Sequence, residues 1–135
     1  MGQAQTAAIM GASRKRINIT ISANTTDYNL FTAAGSPGFA VDVYVTINSG
    51  VVIYGTTPAT PAFTISGFAA GSYIKMTNAG TIAGAGGAGG GGGWGTGGHN
   101  YVQNGTTGDD GGPAISLGND LWLDNSAGTI NGGGG

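Results

Sequence analysis

Apolar and polar side chains alternate with a period of two from Arg16 onward, the pattern of strands with one face buried. Ile17, Ile19 and Ile21 fall on one side of the first such stretch, with Asn18, Thr20 and Ser22 on the other. Asn24-Thr25-Thr26-Asp27 reads as a turn, and Tyr28 to Thr32 as a second short strand. Gly35-Ser36-Pro37-Gly38 is a strong break. The clearest strand follows, with Phe39, Val41, Val43, Val45 and Ile47 alternating with Ala40, Asp42, Tyr44, Thr46 and Asn48. Asn48-Ser49-Gly50 then predicts a turn into a hairpin partner over Val51 to Tyr54. Pro58 and Pro61 mark a loop or sheet edge, and strands over Ala62 to Ser66 and Tyr73 to Thr77 complete the set. With no convincing helix, the pattern predicts an all-β unit over residues 17–79, a small antiparallel β-sandwich or barrel. Its expected core is Ile17, Ile19, Ile21, Leu30, Phe39, Val41, Val43, Val45, Ile47, Val51, Ile53, Phe63, Ile65, Ile74 and Met76.

Composition changes the picture beyond Ala79. Glycine supplies 30 of the 135 residues, and it dominates from Gly80 onward. The chain therefore divides into an amino arm over residues 1–16, the β domain over 17–79 and a glycine-rich repeat region over 80–135. Within that region, Ile74-Lys75-Met76-Thr77-Asn78-Ala79-Gly80-Thr81-Ile82 is echoed by Leu121-Trp122-Leu123-Asp124-Asn125-Ser126-Ala127-Gly128-Thr129-Ile130, about 47 residues later, with Ser126 inserted. Such self-similarity points to stacked or laterally packed units. Between the copies, the run from Gly84 to Gly93 has no Gly-X-Y register and no proline, which excludes collagen. An extended, polyglycine-II-like conformation is expected instead. It has no internal hydrogen bonds, so its backbone groups need partners on neighbouring strands. Those partners are expected from the same chain or from other subunits, with order arising only in a homo-oligomer, specifically a trimer, and with Gly90 and Gly92 both packed where a side chain would not fit.

Charge narrows the function. Only 7% of residues are ionisable, too few for a nucleic-acid face. No apolar run is long enough for membrane insertion. Three of the four basic residues, Arg14, Lys15 and Arg16, cluster at the end of the amino arm and are the expected anchor to neighbouring proteins. Cysteine is absent, which removes disulfides and thiol chemistry. The glycine run satisfies a dinucleotide fingerprint formally but lacks the helix that must follow it. His99 is the single histidine, and Asp109-Asp110 reads as a solvated loop rather than a metal site or an acid pair. No catalytic residue, metal or cofactor is assigned, and the chain reads as a non-enzyme. Trp94, Tyr101 and Trp122 among the glycines suit either stacking on sugars or clamping glycine strands.

The stretch from Ile17 to Gly93 resembles a module of bacteriophage tail and tail-fibre proteins. The resemblance lies in Ile17-Asn18-Ile19-Thr20-Ile21, Asn29-Leu30-Phe31-Thr32-Ala33-Ala34-Gly35-Ser36-Pro37-Gly38, Val43 to Val51, Gly71-Ser72-Tyr73-Ile74, and the hinge Asn78-Ala79-Gly80-Thr81-Ile82-Ala83-Gly84 into polyglycine. Gly111-Gly112-Pro113-Ala114-Ile115 is similar as well. The resemblance implies a virion structural protein with polyglycine helices packed side by side, partnered by other virion proteins. The expected role is a tail-fibre or spike component that attaches to a host cell-surface receptor or glycan. A head fibre or capsid decoration protein is the structural alternative. By the same resemblance, receptor contacts are expected in the variable loop from Trp94 to Asp110, making Trp94, His99, Tyr101, Asp109 and Asp110 the candidate contact residues.

Overall fold

The computed structural model describes residues 14–95 and 102–135. The strands are β1 (Lys15–Ile21), β2 (Thr25–Thr26), β3 (Tyr28–Asn29), β4 (Val41–Ile47), β5 (Val52–Tyr54), β6 (Phe63–Ile65), β7 (Tyr73–Asn78), β8 (Thr81–Ala83), β9 (Trp94–Gly95), β10 (Val102–Gln103), β11 (Ile115–Leu117), β12 (Trp122–Asp124) and β13 (Thr129–Asn131). One four-residue helix, α1 (Leu30–Ala33), replaces the end of the second predicted strand. Asn29 caps it, its Oδ1 accepting from the Thr32 N–H at 3.0 Å.

The strands form three parallel walls, in the orders β1-β4-β7-β12, β2-β5-β8-β13 and β3-β6-β11. Successive turns of chain visit the walls in sequence, so the molecule is a parallel β-solenoid whose rungs are about 4.8 Å apart. This corrects the antiparallel sandwich or barrel. Among the described residues the only antiparallel pair is β9 with β10. The predicted hairpin partner β5 pairs with β2 and β8, not with β4. Gly50, with φ +80°, turns the chain through a corner from one wall to the next. Period-two alternation shows that one strand face is buried, but it carries no information about the direction of the neighbouring strand.

Inward side chains stack from rung to rung. Ile19, Val45, Met76 and Leu123 form one column, Ile53, Ile82 and Ile130 a second, and Tyr28, Phe63 and Ile115 a third. Middle rungs are sealed, with Val41, Val43, Val45 and Met76 all buried. At the ends of the stack burial falls away: Ile17 and Ile19 are partly buried and Leu123 is exposed. Phe39, expected in the core, is 58% exposed. It lies before the start of β4, so the alternation does not extend to it.

The internal echo is a rung contact. Lys75 pairs with Trp122 and Met76 with Leu123 on the first wall, and Thr81 with Thr129 and Ile82 with Ile130 on the second. The extra Ser126 lies in the corner between them, where its N–H and Oγ both hydrogen-bond Asp124 Oδ1. At the same corner Asn78 is 1% exposed. Its Oδ1 accepts from the Gly80 N–H at 3.0 Å and its Nδ2 donates to Asn125 Oδ1 at 2.7 Å, so the shared asparagine joins two rungs. Other corners use the same chemistry. Asn24 Oδ1 accepts from Val52 N–H, Asp27 takes both Thr56 donors, and Asn119 bonds both backbone groups of Phe68.

After β8 the chain leaves the solenoid and returns to it at β11, whose Ile115 pairs with Phe63 of the second rung. Residues on both sides of position 79 therefore build the solenoid, and the glycine run forms an excursion between its second and third walls.

Candidate recognition surface

The excursion is held by backbone groups. Gly84 N–H donates to Asn131 O at 2.9 Å and Gly87 N–H to Gly134 O at 2.7 Å, so bonds recur every third residue along two parallel segments. On another side, Gly112, Asp109 and Thr106 N–H groups donate to Ala85, Ala88 and Gly91 carbonyls at 2.7, 2.8 and 2.9 Å, again in steps of three but with the segments antiparallel. Gly133 N–H to Gly112 O, 2.8 Å, joins the outer two segments to each other. All these partners lie within one chain. Glycine is required where the segments touch: a Cβ on Gly84, Gly87 or Gly90 would overlap the carbonyl oxygen of Gly112, Asp109 or Thr106. Gly92, expected to be packed like Gly90, has no atom within 4 Å of its would-be Cβ.

At the far end of the excursion β9 and β10 pair through Gly95 with Val102 and Trp94 with Gln103. His99 and Tyr101 lie outside the described residues, and for Trp94 only the backbone is described. Asp109 and Asp110 are exposed, on the segment that bonds to residues 85–91. Among the described residues no group of three or more His, Cys, Asp or Glu side chains is placed to hold a metal ion.

The basic cluster is divided in its contacts. Arg14 Nε pairs with Asp42 Oδ1 at 2.6 Å and its Nη1 donates to the Gly71 carbonyl at 2.7 Å. Lys15 and Arg16 open β1 rather than ending a separate arm. The Arg16 guanidinium lies 3.9 Å from the centroid of the Tyr44 ring.

The sequence pattern did not disclose one further surface, the outer face of the first wall. Register puts Asn18, Tyr44, Lys75 and Trp122 in a single row across four strands. Beside it run Arg16, Asp42 and Tyr73 on one flank and Thr20, Thr46, Thr77 and Asp124 on the other. Tyr44 and Tyr73 have ring centroids 6.0 Å apart. Trp122 is 68% exposed and is not clamped among glycine segments. Asp124 is held below the usual carboxylate range by the side-chain and backbone hydrogen bonds from Ser126, with Lys75 contributing less.

Comparison with known protein families matches residues 16–135 to the phage tail fibre adhesin Gp38. The chain belongs to this family. The Gp38 match covers the solenoid and the glycine excursion together, so both parts belong to one adhesin-like tail-fibre module and the chain is a virion component. Membership implies a role in binding rather than in catalysis. No curated protein and no solved structure matches the chain.

Proposed function

We propose that the chain is a tail-fibre component in which the solenoid is the base and the glycine excursion presents a host-contacting loop. The observation that supports this reading is the set of backbone bonds recurring every third residue along residues 84–91. That period belongs to neither a β-strand nor an α-helix, and it suits three-fold extended polyglycine helices packed side by side. Such packing builds a stiff support without side chains, and it leads from the solenoid to the β9–β10 pair. The loop between Trp94 and Asp110 is then the receptor-contacting part, with Trp94, His99, Tyr101, Asp109 and Asp110 as contact residues.

Attachment to the rest of the virion falls to residues 1–16 and the open edge of β1. Because Arg14 is engaged by Asp42 and Gly71, Lys15 is the basic residue of the cluster best placed to meet a neighbouring protein. The glycine segments bond to one another within one chain, and in a homotrimer equivalent segments of the other copies pack around the same axis.

The test is competition for adsorption. Purified chain added to host cells should slow adsorption of the particle that carries it, in a saturable manner. Chain lacking residues 2–13, which keeps β1 whole, should compete equally well but fail to be incorporated into particles. Absence of competition by the intact chain contradicts the attachment role, and normal incorporation of the truncated chain contradicts the anchor.

A further inference from the structure

Asparagine side chains hold the corners and the helix cap of this fold. Asn24, Asn29, Asn78 and Asn119 each bond a backbone group through the side-chain amide, and Asn125 accepts from Asn78. Asn104 and Asn131 make no such bond among the described residues, and in both cases glycine follows, as Asn104-Gly105 and Asn131-Gly132. Both side chains are exposed. Their backbones are held very differently.

From this placement we infer that Asn104-Gly105 is a site of deamidation and that Asn131-Gly132 is shielded from the same reaction. The Gly105 nitrogen attacks Cγ of Asn104. The N–Cγ bond forms, the Cγ–Nδ2 bond breaks, and the proton of the nitrogen leaves with the amide as ammonia. Water then opens the cyclic succinimide. Addition at Cγ gives aspartate in an ordinary chain, and addition at the main-chain carbonyl gives isoaspartate, whose backbone runs through Cβ and Cγ. One ammonia is released, one water is consumed and nothing is oxidised. Glycine favours the attack because, with no Cβ, its nitrogen reaches Cγ freely and its backbone can turn toward it. At position 105 the fold itself demands glycine, since a Cβ there would lie 2.7 Å from the Gly91 carbonyl oxygen. Packing thus fixes the residue that makes Asn104 reactive. Asn104 lies just past the end of β10, and among the described residues no backbone carbonyl accepts from the Gly105 N–H. Asn131, by contrast, ends β13 in register with Ala83, and its carbonyl accepts from the Gly84 N–H at 2.9 Å. Rotating its peptide into the attacking geometry breaks such bonds, which slows the reaction by roughly tenfold.

The change falls beside a double clamp. The Thr106 N–H donates to the Gly91 carbonyl at 2.9 Å, and Thr106 Oγ1 accepts from the Gly91 N–H at 2.7 Å. Isoaspartate at position 104 lengthens the backbone on one side of that clamp. Either product adds a carboxylate to a loop that already carries Asp109 and Asp110. The loop therefore exists in a fresh amide form and an aged acidic form. Its effect on the host rests on the contact role proposed above, whereas the chemistry does not.

The test follows both sites by peptide mapping and mass spectrometry, with chromatography to separate isoaspartate from aspartate. Folded chain is incubated at mildly alkaline pH beside chain unfolded in guanidinium chloride. In the folded chain Asn104 should react roughly tenfold faster than Asn131, with isoaspartate among its products. In the unfolded chain the two sites should react alike, because glycine follows both. An unchanged Asn104 in the folded chain overturns the inference. So does an Asn131 that reacts as fast, or a difference that persists after unfolding. Cell binding by the aged chain, with aged Asn104→Gln as control, reads the contact role separately. Undiminished binding by fully deamidated chain contradicts that role and the effect on the host, and leaves the mapped chemistry standing.

Discussion

Gly90→Val is expected to strip hydrogen-exchange protection from residues 84–91 and 105–112, while Gly92→Val leaves that protection intact. The two sites are neighbours in one glycine run, and the intrinsic backbone effect of replacing glycine with valine is nearly the same at both. They differ in what the new side chain meets. At Gly90 the Cβ would overlap the Thr106 carbonyl, a rigid backbone group, whereas at Gly92 it faces open space. Overpacking of this kind costs about 1–3 kcal/mol where side chains can shift, and more where the obstacle is backbone. The solenoid should keep its own unfolding transition, because its ladders, those of β11 to β13 included, do not involve residues 84–112. The pair also tests the expected trimer. Loss of protection in Gly92→Val, or an oligomeric mass for the intact chain with protection that vanishes on dilution, would mean that glycine packing occurs between chains.

Phe63→Ala should be the most damaging single truncation in the core. Phe63 is fully buried in the second rung, packs against the Tyr28 ring with centroids 5.0 Å apart, and sits in register between Tyr28 and Ile115. Three rungs therefore lose a contact at once. Truncation of a buried phenylalanine costs about 3–5 kcal/mol, a large share of the ~5–15 kcal/mol that holds a domain folded. A fall of about 10–20 °C in the unfolding midpoint follows. Phe39→Ala is the control, since Phe39 is exposed and the change should stay within about 0.5 kcal/mol. Titration gives a second readout. Burial holds the Tyr28 phenol above its ordinary pKa of 10.0. The neutral phenol therefore contributes stability that is present below pH 10 and is lost as pH rises through the raised value. In Phe63→Ala the Tyr28 pKa should move back toward the ordinary value. Equal effects of the two truncations would contradict the solenoid core.

Much of the fold was legible because alternation and burial are local properties. Val41, Val43 and Val45 face inward as the two-residue period requires. The echo between Ile74–Ile82 and Leu121–Ile130 recorded the stacking of one rung on the next. Strand direction was not legible, because Asn48-Ser49-Gly50 has the same composition whether it closes a hairpin or turns a solenoid corner. Nor was the pairing of Ile115 with Phe63, which the glycine excursion separates in sequence. A run of identical glycines carries no register, so the difference between Gly90 and Gly92 exists only once the segments are in contact. The row Asn18-Tyr44-Lys75-Trp122 was hidden for a similar reason. Its members are far apart in the chain and align only through three separate strand pairings.

The central claim is that the solenoid and glycine segments support a loop that touches the host. Replacing residues 96–101 with an equal length of alternating Gly and Ser tests it, because the segments bonded through Gly84, Gly87, Ala85, Ala88 and Gly91 are left intact. The measurement is binding of the purified, labelled chain to host cells, with circular dichroism to confirm an unchanged fold. The account predicts loss of saturable cell binding with the unfolding transition preserved. Undiminished binding by the loop-replaced chain would contradict it.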